Sequence, residues 1–454
     1  MRLDGERAAV LGLGRFGGGA GAVRFLAERG ARVVVCDGAP AEALAPTLDA
    51  LSELELELSL GGVEPPRLDD IALWVVNPAV PPDHPLVARA RAAGARVTSE
   101  IELLLETARS PVLAVSGTHG KSSTVHLAHG LLAEGGLRVR AGGNLGGSLL
   151  PEADSLGEDD WLVLELSSYQ LEALSTPLRP RRSRVVAAAL TTVTRDHLER
   201  HGDEERYRAA KRRIFELLEP GGAALVPADE PWLHDLPDHA RPVRFHRGPS
   251  PDGRGLDLAE GLFRRDGEPL ARLEDLRLPG TFQRWNALVA LGLAAETGVA
   301  PDRLGPALAA QGGLEHRLQD LGRRGGHRVL DNGVSTTPES TAVALETLSP
   351  GDVLLAGGQA KALPLAPLTS AAAGLGAAVL FGRDAERLET ALRAAGVRTR
   401  RTERLEDAVR LAYEELGPGG TLLFSPACAS FDAYANFKER ALAFRAALPP
   451  EDPR

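Results

Sequence analysis

The sequence predicts an α/β fold, and three observations carry that prediction. Apolar runs such as Ala8-Ala9-Val10-Leu11, Val112-Leu113-Ala114-Val115 and Val353-Leu354-Leu355 have strand length, and each leads into a glycine-bearing turn. Apolar residues beyond such a turn recur at helical spacing, as Val125, Leu127, Ala128, Leu131 and Leu132 do. Strand, glycine turn and helix then repeat along the chain, which is the pattern of a parallel sheet covered by helices. Fresh starts of the pattern divide the chain into residues 1–110, 111–313 and 314–454, and 454 residues call for several domains. The last block adds the strand runs Ala378-Val379-Leu380-Phe381 and Leu422-Leu423-Phe424. Residues 248–256, rich in Gly, Pro and Asp, read as a loop inside the middle block.

Composition narrows the function. An apolar content of 43% with 25% charge suits a soluble protein with real cores. A net charge of −10 with no basic block argues against a nucleic-acid partner, because phosphate backbones need clustered Lys and Arg. Arginine outnumbers lysine, so the few lysines stand out. The two cysteines, Cys36 and Cys428, lie far apart and give no disulfide framework, which suits a reducing compartment. The opening MRLDGERAAV lacks the apolar core of a signal peptide. No apolar run approaches the roughly 18 residues that span a membrane, so the expected location is the cytoplasm.

The first block carries Gly12-Leu13-Gly14-Arg15-Phe16-Gly17 after its first strand, with Asp37 following the second. Such glycines allow a tight turn and close backbone approach to a pyrophosphate, and the carboxylate suits a ribose hydroxyl. A dinucleotide and a UDP-linked ligand present the same pyrophosphate, and a glycine turn without ligand has the same composition.

The middle block carries Ser116-Gly117-Thr118-His119-Gly120-Lys121-Ser122-Ser123 between a strand and a helix. This reads as a phosphate-binding loop: backbone N–H groups approach phosphate oxygens, and the helix N-terminus favours the anion. Lys121 would reach terminal phosphates and the Ser122 hydroxyl a divalent cation. The strict G-x-x-x-x-G-K-[ST] loop has glycine where Val115 stands, so this is a variant. Downstream, Trp161-Leu162-Val163-Leu164-Glu165 ends a strand in a carboxylate, which is costly to bury without a cation or hydrogen bonds. Glu165 therefore fits Mg²⁺ chemistry or, alternatively, a helix cap. His197 follows the run Val185–Leu190, and Lys211 lies on the helical stretch that includes Tyr207. Each alone also fits a structural histidine or a solvated lysine; only their company points to one site. In the last block, Gly357-Gly358-Gln359-Ala360-Lys361 places a lysine past a strand end, where it suits a substrate carboxylate. Cys428 has no sequence-neighbouring histidine and reads as a small buried residue.

Together these residues resemble the Mur ligase family, ATP-dependent amide ligases of cell-wall precursor synthesis. The family loop G-T-[NH]-G-K-[ST]-[ST] is matched by Gly117–Ser123, the missing first glycine included. Glu165-Leu166-Ser167-Ser168-Tyr169-Gln170-Leu171-Glu172 is similar to the E-L-S-S-[FY]-Q-L-E stretch of the members that add D-glutamate, as is Ser425-Pro426-Ala427-Cys428-Ala429-Ser430. The resemblance runs through essentially the whole chain. It implies three Rossmann-like domains: residues 1–110 binding a UDP precursor, a central P-loop-type ATP-binding domain over 111–313, and an amino-acid-binding domain over 314–454 that closes over ATP. It also implies a monomer that joins D-glutamate to UDP-N-acetylmuramoyl-L-alanine through an acyl phosphate, in peptidoglycan precursor synthesis.

Residue roles follow from the resemblance. Gly14, Arg15, Phe16, Asp37 and Asn77 fall where the family holds uridine and diphosphate, and Asn144, Ser167 and Gln170 where it holds the sugar-peptide. Gly117, Thr118, His119, Gly120, Lys121, Ser122 and Ser123, with Asn286, Arg317 and Asn332, fall around ATP. Lys121, Glu165, His197 and Lys211 form the implied catalytic set. Ser122, Glu165, His197 and Lys211 are the implied ligands of two Mg²⁺ sites, with Lys211 carbamylated into a carboxylate-like group. Thr336, Lys361, Ser430 and Phe437 fall where D-glutamate is held.

The chain departs from the family at several points. Thr192 and Arg195 replace the Asn and Glu of N-x-x-E-D-H, Phe282 and Gln283 replace the His and Asn of G-x-H-N-x-x-N, and Asn332 stands for an Asp. Three competing readings follow. His119 in the loop suits the L-alanine-adding member, the Gly12–Gly17 loop suits a dehydrogenase, and the replaced residues suit a catalytically weakened binding or regulatory homologue. Retention of Lys121, Ser122, Glu165, His197, Lys211 and Lys361 points to an active enzyme.

Overall fold

The apolar runs between glycine turns become the parallel cores of three sheets. The computed structural model describes residues 2–452 apart from 15, 16, 66 and 146. Among the described residues the sheets have five, nine and six strands. The first contains β1 (Arg7–Leu11), β2 (Arg32–Asp37), β3 (Leu56–Leu60), β4 (Ile71–Val76) and β5 (Arg96–Thr98). Its order is β3-β2-β1-β4-β5, parallel throughout. Strand order reverses at β1, so a crevice forms beyond its carboxyl end, where the Gly12–Gly14 turn lies.

The second sheet contains β6 (Pro111–Ser116), β7 (Arg138–Gly143), β8 (Asp160–Glu165), β9 (Arg184–Leu190), β10 (Leu218–Pro227) and β11 (Arg241–Phe245). It continues through β12 (Leu256–Ala259), β13 (Leu262–Arg265) and β14 (Glu268–Arg272), in the order β14-β13-β12-β11-β10-β9-β6-β8-β7. β6 lies between β8 and β9, all three parallel, so its residues are buried on both faces. β12–β14 pair antiparallel, which the strand–turn–helix reading of the sequence did not include. The reason is local: Glu260-Gly261 and Asp266-Gly267 all take positive φ and turn the chain back at once.

The third sheet contains β15 (Gln319–Arg324), β16 (His327–Asp331), β17 (Val353–Gly357), β18 (Ala377–Phe381), β19 (Arg398–Arg401) and β20 (Thr421–Phe424). Its order is β15-β16-β20-β17-β18-β19, with only β15 antiparallel.

The chain forms two compact units, Met1–Asp275 with Asn286–Ala309, and Leu276–Trp285 with Ala310–Arg454. In the first unit one apolar core runs under both sheets, from Phe25, Leu26 and Ile101 to Leu162, Leu164 and Ile214. The helix Gly18–Ala27 approaches the second sheet's loops so closely that a Cβ on Gly21 would lie 2.3 Å from Ser148 Oγ. No helix among the described residues is long and apolar enough to cross a membrane.

Cys36 and Cys428 are both buried, and burial pushes each thiol up to about 12. Neither is a thiolate nucleophile at neutral pH. Iodoacetamide at pH 8 is therefore expected to label neither thiol in the native protein and both after unfolding, as peptide mapping would read. Rapid native labelling of Cys428 would contradict its buried state.

Candidate active site

The phosphate-loop segment is built by space as much as by charge. β6 ends at Ser116, and the helix Lys121–Glu134 begins directly after Gly120, its left-handed N-cap with φ 85°. A Cβ on Gly117 would lie 2.0 Å from Thr191 Oγ1, and one on Gly120 2.4 Å from Asn286 Oδ1. Thr118 N–H donates to the Thr192 carbonyl at 2.5 Å and Thr191 Oγ1 to the His119 carbonyl at 2.6 Å, which ties the loop to the chain leaving β9. Val115, where a strict loop has glycine, is a buried strand residue paired with Glu165 on one side and Ala189 on the other. Alanine at Gly120 should cost about 1–2 kcal/mol through its left-handed backbone alone. It should also displace Asn286, lowering the thermal midpoint and nucleotide affinity together.

Two ammonium groups converge on this loop. Lys121 Nζ donates to the carbonyls of Gly117 and Thr118, both at 2.9 Å. Lys211, on the helix Glu204–Arg212, donates to the same Gly117 carbonyl at 2.6 Å and is 2% exposed. Burial, and then the charge of Lys121, lower the Lys211 pKa from 10.5 to about 7. A desolvated lysine that is half neutral near pH 7 is a nucleophilic amine, unlike an ordinary surface lysine.

Glu165 ends β8 beside them, 2% exposed. Its Oε1 accepts from Asn144 Nδ2 at 2.8 Å, while its buried Oε2 has no hydrogen-bond partner among the described residues. The backbone reinforces this pairing: Asn144 N–H donates to the Glu165 carbonyl at 2.8 Å. Gly117, Lys121, Asn144, Tyr169, His197 and Lys211 share a cavity of about 300 Å³ that Ser167, Ser168, Asp196 and Tyr207 complete. His197 stands exposed at the left-handed N-cap of the short helix Leu198–His201. Its Nδ1 lies 3.3 Å from Glu199 Oε1 and 3.5 Å from the Tyr169 hydroxyl. Ser122 is buried in the first turn after the loop. Ser167 and Gln170 form a reciprocal capping box on the helix Ser168–Glu172, with Gln170 7% exposed. Their visible work is to fix that helix over the cavity.

The first-sheet residues gather at the carboxyl ends of β1, β2 and β4. Asp37 Oδ2 accepts from the N–H groups of Leu13 at 2.8 Å and Gly14 at 3.3 Å, so this carboxylate shapes the glycine turn itself. A Cβ on Gly14 would lie 3.2 Å from Asn77 Nδ2, which brings Gly14, Asp37 and Asn77 together. Arg15 and Phe16 lie outside the described residues.

In the second unit, Lys361 Nζ lies 3.2 Å from Thr336 Oγ1. Ser430 is buried, and Phe437 opens the helix Phe437–Ala447. Arg317 is half-buried. Asn332 spends its amide internally: Oδ1 accepts from Leu318 N–H at 3.1 Å, and Nδ2 donates to Ser335 at 2.7 Å and Ser425 at 3.1 Å.

Comparison with known proteins gives these sites a lineage. Residues 115–294 match the family model of the Mur ligase middle domain, and residues 6–99 that of the Mur ligase MurD-like N-terminal domain. A UDP-N-acetylmuramoylalanine--D-glutamate ligase of Symbiobacterium thermophilum is 34% identical over 97% of each chain. The chain belongs to the Mur ligase family. A second relative of the same description, from Gloeobacter violaceus, is 36% identical over 97% of this chain and 98% of its own. In fold, the chain is similar to a MurF ligase of Thermotoga maritima in complex with ADP. The TM-score is 0.57 with 16% identity, over 98% of this chain and 94% of that one.

Mur ligases are ATP-dependent ligases, and the donor set of this one suits a divalent cation beside the nucleotide. Glu165 offers a buried carboxylate oxygen with no hydrogen bond among the described residues, and Ser122 a hydroxyl in the first helical turn. Among the described residues no three His, Cys, Asp or Glu side chains gather as a ready-made metal site. Of the departures from the Mur ligase pattern, Thr192 contributes through its carbonyl, a role most residues can fill, and Phe282 packs into the second unit's apolar core. Sequence reading left Tyr169, Thr191, Asp196 and Tyr207 out of the site. Tyr207 had a signal, four residues before Lys211 on one helix, and its hydroxyl lies 2.8 Å from Thr118 Oγ1.

Proposed function

We propose that this Mur ligase joins D-glutamate to UDP-N-acetylmuramoyl-L-alanine with hydrolysis of ATP to ADP and phosphate. Its relatives of that description match over nearly the whole chain, and the gathering of Lys121, His197 and Lys211 around one cavity, with Glu165 bonded to its lining residue Asn144, carries the reading at the level of chemistry. We read residues 1–110 as the precursor-binding part, 111–313 as the ATP-binding part and 314–454 as the amino-acid-binding part.

A carboxylate does not acylate an amine at neutral pH, because oxide is a poor leaving group. Transfer of the γ-phosphoryl group to the L-alanyl carboxylate makes an acyl phosphate and releases ADP. The D-glutamate nitrogen then attacks the acyl carbon, phosphate leaves, and one proton is lost from nitrogen. In this reading Lys121 swings from the Gly117 and Thr118 carbonyls onto the transferring phosphoryl group and neutralises the charge that develops there. Ser122, Glu165, His197 and carbamylated Lys211 would hold Mg²⁺, which when bound neutralises phosphate oxygens and orients them. Asn144 keeps the Glu165 carboxylate turned by holding one of its oxygens. Lys361, beside Thr336, would take a D-glutamate carboxylate as a point charge.

The test is phosphate release with the UDP precursor, ATP and Mg²⁺ and each of D-glutamate, L-glutamate and L-alanine in turn. D-glutamate alone is expected to support turnover. A preference for L-alanine, or no turnover with any of the three, would overturn the reading.

A further inference from the structure

Arg200 lies outside the cavity, yet its guanidinium joins three separate pieces of the first unit. Nε donates to Glu172 Oε2 at 2.8 Å. Nη1 donates to the Ala79 carbonyl at 3.3 Å, and Nη2 to the carbonyls of Pro78 at 3.2 Å and Val80 at 3.1 Å. The group also stacks over the Tyr169 ring at 4.8 Å, and the side chain is only 9% exposed. A carboxylate, three backbone carbonyls and a ring face use the whole planar fork, which no other side chain reproduces.

The joined pieces are informative. Pro78, Ala79 and Val80 directly follow Asn77, and a Cβ on Gly12 would meet Asn77 Cβ at 2.8 Å and Val80 Cγ2 at 3.1 Å. The bonded segment therefore packs on the glycine turn of the first sheet. Tyr169 lies within the helix Ser168–Glu172, and its hydroxyl is 3.5 Å from His197 Nδ1. Arg200 itself sits on the short helix that His197 caps.

We propose that Arg200 is a positioning residue that fixes the distance between the nucleotide-handle end and the reacting end of the precursor site. This rests on the function proposed above. A substrate held at one end by its uridine diphosphate delivers its carboxylate to the phosphoryl group only if both ends of the site are held at one spacing. Binding energy from the remote handle then appears as rate rather than as affinity. A misplacement of 1 Å at the reacting end costs on the order of 10²-fold in rate.

The test uses Arg200→Ala and Arg200→Lys in the full chain. Lysine keeps the charge and reaches only part of the carbonyl set, so it retains the fold, which the thermal midpoint checks. For Arg200→Ala we expect kcat with the UDP precursor and D-glutamate to fall on the order of 10²-fold, with lysine intermediate. UDP and ADP, each titrated alone by calorimetry, should bind both variants as they bind the wild-type chain. Unchanged kcat in both variants would overturn the proposal. So would loss of UDP affinity in proportion to kcat/KM, since Arg200 would then merely fold the handle pocket. The wild-type chain run in parallel separates the two claims: its failure to turn over D-glutamate removes the functional reading, whereas normal wild-type turnover with an indifferent Arg200 removes only this one.

Discussion

Alanine at Lys211 is expected to lower D-glutamate-dependent phosphate release by on the order of 10²–10³-fold. The amine lies 2% exposed against the Gly117 carbonyl, a site that disfavours its charged form and leaves the pKa at about 7. The neutral amine can attack carbon dioxide; a C–N bond forms, one proton leaves, and the product is a carbamate anion beside Glu165. Arginine at this position keeps a cation but forms no such carbamate, so Lys211→Arg should be equally inactive. Formate or acetate should restore part of the activity of Lys211→Ala by supplying the missing carboxylate, and should not help Lys121→Ala. Full activity of Lys211→Ala or Lys211→Arg without added carboxylate would end the carbamate role. pH adds a second readout. With a pKa near 7, the amine is about one-tenth neutral at pH 6 and mostly neutral at pH 8, so activation by bicarbonate should rise across that interval. The unmodified folded chain binds fewer protons than the unfolded one between about 7 and 10.5, so the Lys211 contribution makes stability rise with pH through that window. Lys211→Ala should flatten that rise in thermal midpoints.

Lys121→Ala should lower kcat by a similar factor, on the order of 10²–10³-fold, through a different step. Lys121 sits at the first position of the helix behind a left-handed glycine, so in the proposed function its ammonium and the helix N-terminus would face the same phosphate. In the proposed function its loss would remove charge neutralisation of the transferring phosphoryl group while leaving Thr336 and Lys361, the residues proposed to hold D-glutamate in the other unit, as they were. The KM for D-glutamate should therefore change far less than kcat. Proportionate changes in both, or wild-type kcat, would show that Lys121 does not act on the phosphoryl group. The chain has only four lysines, Lys121, Lys211, Lys361 and Lys438. Three of them, Lys121, Lys211 and Lys361, belong to the proposed site, so chemical modification of lysines should inactivate with few competing sites.

Much of the site was legible because its signals are local. Gly117 to Ser123 lie on consecutive residues, and the strand before and helix after them that the sequence predicts are the ones the structure has. Glu165 was legible for the same reason, as a charge ending an apolar run. Asp37 was legible as a residue while its contacts were not: two loop N–H groups occupy one oxygen of its carboxylate. Gln170 and Asn332 repeat the lesson, since their amides are committed to a helix cap and to serine hydroxyls. A side chain's partners depend on atoms tens of residues away, and no spacing rule reports them. The antiparallel strands β12–β14 were missed although Gly261 and Asp266-Gly267 mark their turns, because such short strands carry little periodicity.

The sequence by itself determined the α/β class, the two glycine turns between strand and helix and the family, because periodicity, turn chemistry and motif spacing act over a few neighbouring residues. Only the tertiary structure decided that Lys211 shares a carbonyl with Lys121, that one Glu165 oxygen has no hydrogen bond among the described residues, and that Arg200 joins Pro78–Val80 to Tyr169. The physical reason is that proximity across a sheet follows strand order. β6 lies between β8 and β9 although β7 intervenes in the chain. That order sets the end of β8, with Glu165, beside the end of β6 that leads into Gly117, and Lys211 reaches the Gly117 carbonyl from its own helix.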